Sequence, residues 1–160
     1  MQTCGFNGFS YADIAAELGI TKASLHYHFQ SKAELGDALI ARYARRFADA
    51  LSGIEGLTLP CPETGRVRRG WFVYVVQLPR GRDRDGVVRS LATRGVPSKP
   101  YFPAVHLMSY YRERFGHREG QFPVCEDVAA RSIALPFFPE MTESQVEQVA
   151  EAVRDVLGRS

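Results

Sequence analysis

Two short stretches of this chain concentrate side chains that could do chemistry. Residues 21–32, TKASLHYHFQSK, place two histidines around a tyrosine and end on a lysine; residues 98–106, SKPYFPAVH, carry Lys99, Tyr101 and His106. The first stretch could hold a metal, act in catalysis or grip phosphate. Metal fits worst, because residues two apart on a helix diverge by about 200° around its axis, so His26 and His28 cannot share one ion. The three cysteines, Cys4, Cys61 and Cys125, form no CxxC pair that would suggest zinc or redox chemistry, and no metal site is expected. Covalent amine chemistry would need a lysine, and there are only three: Lys22 and Lys32 in the first stretch and Lys99 in the second.

The elements that must position these residues change character near residue 53. Before it the signals are helical. Ser10, with Asp13 in the capping-box position, opens a helix over YADIAAEL that Gly19 ends; Thr21 caps KASLHYHF; Ser31 with Glu34 opens KAELGDALIARYARRFADAL. In that long helix Leu35, Leu39, Tyr43, Phe47 and Leu51 make one apolar stripe at a spacing of four. Two short helices joined by a tight glycine turn form the geometry in which the second can enter a DNA major groove.

After residue 53 strands and helices alternate. WFVYVVQL reads as a buried strand, Asp83 caps RDGVVRSLATR with Gly95 behind it, VPSKPYF is extended around its prolines, and HLMSYYRERFG is helical. CEDVAARS makes a short helix and IALPFF a strand. Thr142 with Gln145 caps a last helix, striped by Val146, Val149, Ala150, Val153, Val156 and Leu157. The expected fold class is α+β: a helix-turn-helix segment over residues 1–52, then a small α/β layer over 53–160, a short sheet with helices on one face.

Composition sets wide bounds. A chain of 160 residues, 45% apolar and 24% charged, suits one soluble domain or two small ones. A formal charge of +2 argues neither for nor against nucleic acid. Apolar runs such as WFVYVV fall short of the roughly 18 residues that span a bilayer, and no signal peptide precedes them. No membrane partner and a reducing cytoplasm are expected.

The stretch SYADIAAELGITKASLHYHFQSKAEL resembles the helix-turn-helix of TetR-family regulators through Ile14-Ala15, the turn Gly19-Ile20-Thr21-Lys22, and His28-Phe29-Gln30-Ser31-Lys32. The resemblance implies DNA as a partner. Tyr27, His28 and Lys32 would donate to backbone phosphates, and Thr21, Lys22 and Ser24 would sit at the helix start, where base edges are reached. Leu25 and Phe29 then turn inward. That family sets a further long helix before these two, and only MQTCGFNGF stands before Ser10, so Ile14, Leu18 and Phe29 are expected to present apolar surface.

The later stretches EGLTLPCP, WFVYVVQLP, DRDGVVRSLATRGVPSKPYFPAVHL, YYRERFG and FPVCEDVAARSIALPFFPEMTESQVEQVAEAV resemble the C-terminal small domain of the DegT/DnrJ/EryC1/StrS sugar aminotransferases. The resemblance implies enzymes that use pyridoxal phosphate to aminate nucleotide keto-sugars. Their chemistry needs an aldimine lysine, a carboxylate facing the pyridinium nitrogen and a phosphate cup, all of which belong to the family's large domain. No cofactor and no catalytic residue are therefore expected of this chain alone. By the same resemblance Tyr101 and His106 could face a sugar or the substrate's anionic end; a packed aromatic and a satisfied histidine are the plainer account. Three readings follow: a DNA-binding module carrying the aminotransferase piece as a passive or dimerising body, an aminotransferase fragment acting with a separate large domain, or a gene fusion with no function of its own.

Overall fold

The computed structural model describes residues 8, 10–64, 66, 69–138 and 141–158, and Cys4 lies outside them. The chain forms two compact units, Met1–Arg46 and Phe47–Ser160. The first is helical: α1 is Tyr11–Leu18, α2 is Lys22–His28, and α3, Lys32–Leu51, contributes its first turns. The capping box at α1 is complete, with Ser10 N donating to Asp13 Oδ2 at 2.7 Å and Asp13 N to Ser10 Oγ at 3.3 Å. Gly19 ends α1 at φ 65°, a left-handed conformation that costs a glycine nothing. The Thr21 hydroxyl then accepts from Ser24 N at 3.1 Å and starts α2. At α3 Ser31 Oγ takes Glu34 N, while the Glu34 carboxylate takes the N–H of Gln30, one residue before the expected partner.

Tyr11, Ile14, Leu25 and Leu35 make the core of this unit, with Phe29 and Leu39 against it. The Tyr11 hydroxyl donates to Phe29 O at 2.9 Å and ties the end of α2 to the start of α1. The expected apolar surface is therefore smaller than the sequence suggested: Leu18 is exposed, but Ile14 is buried and Phe29 half-buried.

The sequence places the change of character at 52/53, whereas the compact units meet at 46/47, inside α3. The last turn of α3 explains the shift. Phe47 and Leu51 are fully buried in the second unit, where the Phe47 ring lies 4.9 Å from Tyr74 and 5.9 Å from Phe137.

The second unit is built on a three-stranded antiparallel sheet, order β1-β3-β2, with β1 Tyr74–Gln77, β2 Lys99–Pro100 and β3 Ser132–Leu135. Val76 and Pro100 both pair with Ile133 from opposite sides. Pro100 has no N–H to donate and so sits on an edge strand. Tyr74, Val76 and Leu78 are buried in alternation, as a strand with one face on a core requires. The expected strand WFVYVVQL is shorter, beginning at Tyr74, because Trp71 stacks on the Tyr74 ring (5.6 Å, 9°) and donates Nε1–H to Glu63 instead of joining a ladder.

Helix α4, Arg84–Ala92, capped by Asp83, packs on β2 and β3 and against α7, Glu143–Gly158. Val87 and Leu91 of α4 meet the stripe of α7, whose capping box at Thr142 and Gln145 is reciprocal. Between β2 and β3 lie a 3-10 turn, Val105–Leu107, then α5, Ser109–Phe115, and α6, Pro123–Arg131. Neither α5 nor α6 buries any residue. No helix among the described residues is long and apolar enough to cross a membrane.

Candidate functional site

Residues 99–126, from β2 into α6, carry the second unit's chemistry-bearing side chains. Tyr101 prolongs the β2 ladder by donating its N–H to Ser132 O at 3.1 Å. Phe102 follows at φ 44°, a left-handed conformation that a bulky residue seldom adopts, with its ring 4.5 Å from Tyr101. Such strain persists only where the surroundings hold it, and it clusters at functional positions. Pro103 and the 3-10 turn then bring His106 inward.

His106 is 9% exposed and its Nε2 lies 2.9 Å from Glu126 Oε1. Glu126 also accepts the N–H of Gly120 at 2.8 Å and of Phe122 at 3.1 Å. One carboxylate thus fastens the 116–122 loop to the histidine. The Gly120 N–H, then His106, then the Phe122 N–H hold the Glu126 carboxyl below the usual glutamate range. The Phe122 ring stands edge-on to His106 at 4.8 Å, and His117, bonded through Nδ1 to Gln121 Oε1, stands edge-on at 6.1 Å. The imidazole is therefore fixed in place and orientation, and among the described residues no hydrogen bond engages its Nδ1. Tyr101, half-buried, shares the segment with His106; among the described residues no hydrogen bond joins the two side chains.

A pyridoxal phosphate site needs groups that converge, and among the described residues of the second unit none converge on Lys99. Lys99 is exposed on an edge strand, and the neighbouring Ser98 hydroxyl is buried with no hydrogen-bond partner. Alternation along the extended chain sends the two to opposite faces, so Ser98 cannot help cradle a group held by Lys99. Lys22 and Lys32 belong to the other unit. Among the described residues no three His, Cys, Asp or Glu side chains gather to hold a metal.

In the helical unit the residues expected to touch DNA divide by role. Thr21 spends its hydroxyl on the cap of α2. Lys22, Ser24, Tyr27 and His28 are exposed, Tyr27 at 85%, with the Tyr27 and His28 rings edge-on at 5.3 Å. His26 packs on Tyr11 at 4.5 Å instead of sharing their face. The Ser10 hydroxyl and N–H, with Lys32 as a lesser influence, hold the Asp13 carboxyl below its usual range.

Glu126 was not among the residues the sequence singled out. A buried histidine needs only some hydrogen-bond partner, so its sequence names none, and twenty positions separate His106 from Glu126 in the chain.

With this geometry in hand the relatives become informative. The DegT/DnrJ/EryC1/StrS aminotransferase family matches residues 4–154, and the chain belongs to that family. An uncharacterized protein, MJ1066, of Methanocaldococcus jannaschii is 28% identical over 98% of this chain and 39% of its own length. The spore coat polysaccharide biosynthesis protein SpsC of Bacillus subtilis is 29% identical over 91% of this chain and 36% of its own. The crystal structure of the aminotransferase TlmJ from Streptoalloteichus hindustanus superposes with a TM-score of 0.65 at 29% identity, covering 76% of this chain and 31% of TlmJ. The chain thus spans little more than a third of the curated relatives it matches. The PLP form of Spr1654, a putative sugar aminotransferase from Streptococcus pneumoniae, shares the fold with a TM-score of 0.70 at 17% identity, covering 77% of this chain and 31% of its own. The family match runs through the helical unit, and neither it nor these relatives supports the resemblance of that unit to TetR-family regulators.

Proposed function

We propose that this chain is the small-domain portion of a sugar aminotransferase, acting with a large domain, on the same polypeptide or another, that supplies pyridoxal phosphate and its lysine. The observation that carries this is the family match over residues 4–154, beside a second unit whose one lysine, Lys99, stands exposed on an edge strand. The cofactor, when bound by that large domain, supplies the electron sink for amino transfer. This chain's residues would bind and orient. His106, fixed by Glu126, would offer Nδ1 to a sugar hydroxyl or an anionic group, and Tyr101 with the strained Phe102 would wall the approach and exclude water. The nucleotide-sugar class follows from the family, and a cytoplasmic setting from where such substrates are made.

The test uses a piece of SpsC from which the segment matched by this chain has been removed. Incubated with a nucleotide keto-sugar and an amino-acid donor, the SpsC piece should form amino sugar only when this chain is added, by mass spectrometry of the product. His106→Gln should raise KM more than it lowers kcat. No restoration by a folded chain sinks the reading.

A second reading rests on one observation, the exposed face of α2 with Lys22, Ser24, Tyr27 and His28 behind a glycine turn and a threonine cap. In it residues 10–51 act as a TetR-like helix-turn-helix on DNA. Binding would be weak, near the micromolar non-specific range, and titration of a labelled duplex at about 50 mM salt measures it. Lys32→Ala should flatten the salt slope by about one unit. No binding at that salt removes this reading and leaves the first untouched.

A further inference from the structure

Helix α6 is turned inside out. Its branched apolar residues, Val124 and Val128, are exposed, while Glu126, Asp127 and Arg131 are half-buried. A surface helix ordinarily takes its seat by burying an apolar stripe. α6 buries none of its residues, so its position rests on polar bonds.

One residue makes the firmest of those bonds. Arg131 grips Asp127, one turn earlier in α6, through two parallel contacts, Nε to Oδ1 at 3.2 Å and Nη2 to Oδ2 at 2.8 Å. The same guanidinium donates from Nη1 to Leu78 O at 2.7 Å and from Nη2 to Gln77 Oε1 at 3.2 Å, at the end of β1. The Leu78 N–H returns a bond to Arg131 O at 2.9 Å. A planar fork of this kind fixes direction as well as distance. The Arg131 side chain is 15% exposed, and its bonds hold the Asp127 carboxyl below the usual aspartate range. Two other cations contribute less. Arg80, itself 80% exposed, meets Asp127 Oδ2 at 3.3 Å, and Arg84 donates to Ala129 O at 2.9 Å, a single bond to one backbone atom.

Successive residues on a helix stand about 100° apart around its axis, so the turn of α6 that points Asp127 at Arg131 also decides where Glu126 points. From there the Glu126 carboxylate meets His106 Nε2 at 2.9 Å. A carboxylate accepts, so Nε2 is the donor. We infer that Arg131 is a positioning residue for the His106 imidazole: through Asp127 it fixes the rotation of α6, and that rotation aims the carboxylate that holds the histidine. The inference rests on the proposed function for the role of His106 and extends it to a residue that touches no substrate. With no buried apolar residue on α6, nothing in the helix's own packing restores the aim once the guanidinium is lost.

The chain alone supplies the first measurement. A buried imidazole N–H bonded to a carboxylate exchanges slowly with water, so proton–nitrogen correlation spectra of the isotopically labelled chain should show it, identified as His106 by its absence in His106→Gln. Arg131→Met should abolish that signal, and Arg131→Lys, which keeps the charge without the fork, should weaken it. Arg80→Ala should leave it unchanged. Val153→Ala, a core substitution in α7, should leave it too, which separates lost aim from general loosening. If Arg131→Met does not fold by circular dichroism, Asp127→Asn takes its place with the same expected loss. A signal that survives in the folded variant, or that the parent chain lacks, overturns the inference. The second measurement is the KM for amino sugar formation with the shortened SpsC piece. Arg131→Met should raise it about fivefold, as loss of one ordered hydrogen bond does, and should add nothing in a His106→Gln background. An unchanged KM in folded Arg131→Met overturns the positioning role and leaves the proposed function standing. No amino sugar with the parent chain sinks the proposed function, and the imidazole signal then decides by itself whether Arg131 aims His106.

Discussion

The helical unit and the α5–α6 region are both small, but only the first closes on itself. In residues 10–46 each short helix turns a residue inward to one shared core, and the Tyr11 hydroxyl seals it by reaching Phe29 O. In α5 and α6 the aromatic and branched side chains stay exposed, and what holds α6 is polar: the Glu126 carboxylate and Arg131, which reaches Leu78 O at 2.7 Å and Asp127 Oδ2 at 2.8 Å. The contrast teaches that burial and order are separable. α6 is pinned by hydrogen bonds at both ends while its apolar face stays exposed.

That difference can be broken most forcefully in the core. Leu91→Ala or Ile133→Ala, each at a fully buried side chain, should cost about 2–5 kcal/mol in urea unfolding. Val124→Ala on the α6 face should stay within about 0.5 kcal/mol, as exposed substitutions do. Equal losses would mean that α6 is buried in solution. In the helical unit Gly19→Ala should cost about 1–2 kcal/mol, because an L side chain resists the left-handed conformation at φ 65°. Tyr11→Phe should cost about 1 kcal/mol by leaving the Phe29 carbonyl unpaired. Hydrogen exchange should localise both losses to residues 10–46; a loss spread through the second unit would join what the comparison separates.

The smallest expected effect is in pH. Glu126 has a folded pKa below its unfolded one, so the stability it adds is whole above the ordinary glutamate range and is lost as pH falls through the lowered folded value. Urea midpoints measured at stepped acid pH should therefore fall less steeply for Glu126→Gln than for the parent chain over that window. Identical slopes would show that the carboxylate does not hold the 116–122 loop.

What could be seen in the sequence and what could not divide along sequence distance. The caps at Ser10, Thr21, Asp83 and Thr142 were legible because each acts within a turn of its own helix. The α7 stripe followed from its period. The shortened β1 was not, since nothing in WFVYVV says that Trp71 will turn back to stack on Tyr74. Nor was the boundary inside α3: Phe47 continues the stripe of Leu39 and Tyr43, and only Tyr74 and Phe137, distant in the chain, claim it for the second unit. At the candidate site Tyr101 and His106 were visible as residue types, while their holder, Glu126, depended on a loop whose path no local pattern gives.

The proposed function holds that this chain is part of an aminotransferase body whose cofactor chemistry lies outside residues 1–160. Borohydride reduction of the folded chain mixed with pyridoxal phosphate, followed by peptide mass spectrometry, tests it most directly. The account predicts no stoichiometric adduct at Lys99, Lys22 or Lys32 and no visible aldimine band before reduction. A near-unit adduct on Lys99, accompanied by that band, would contradict it.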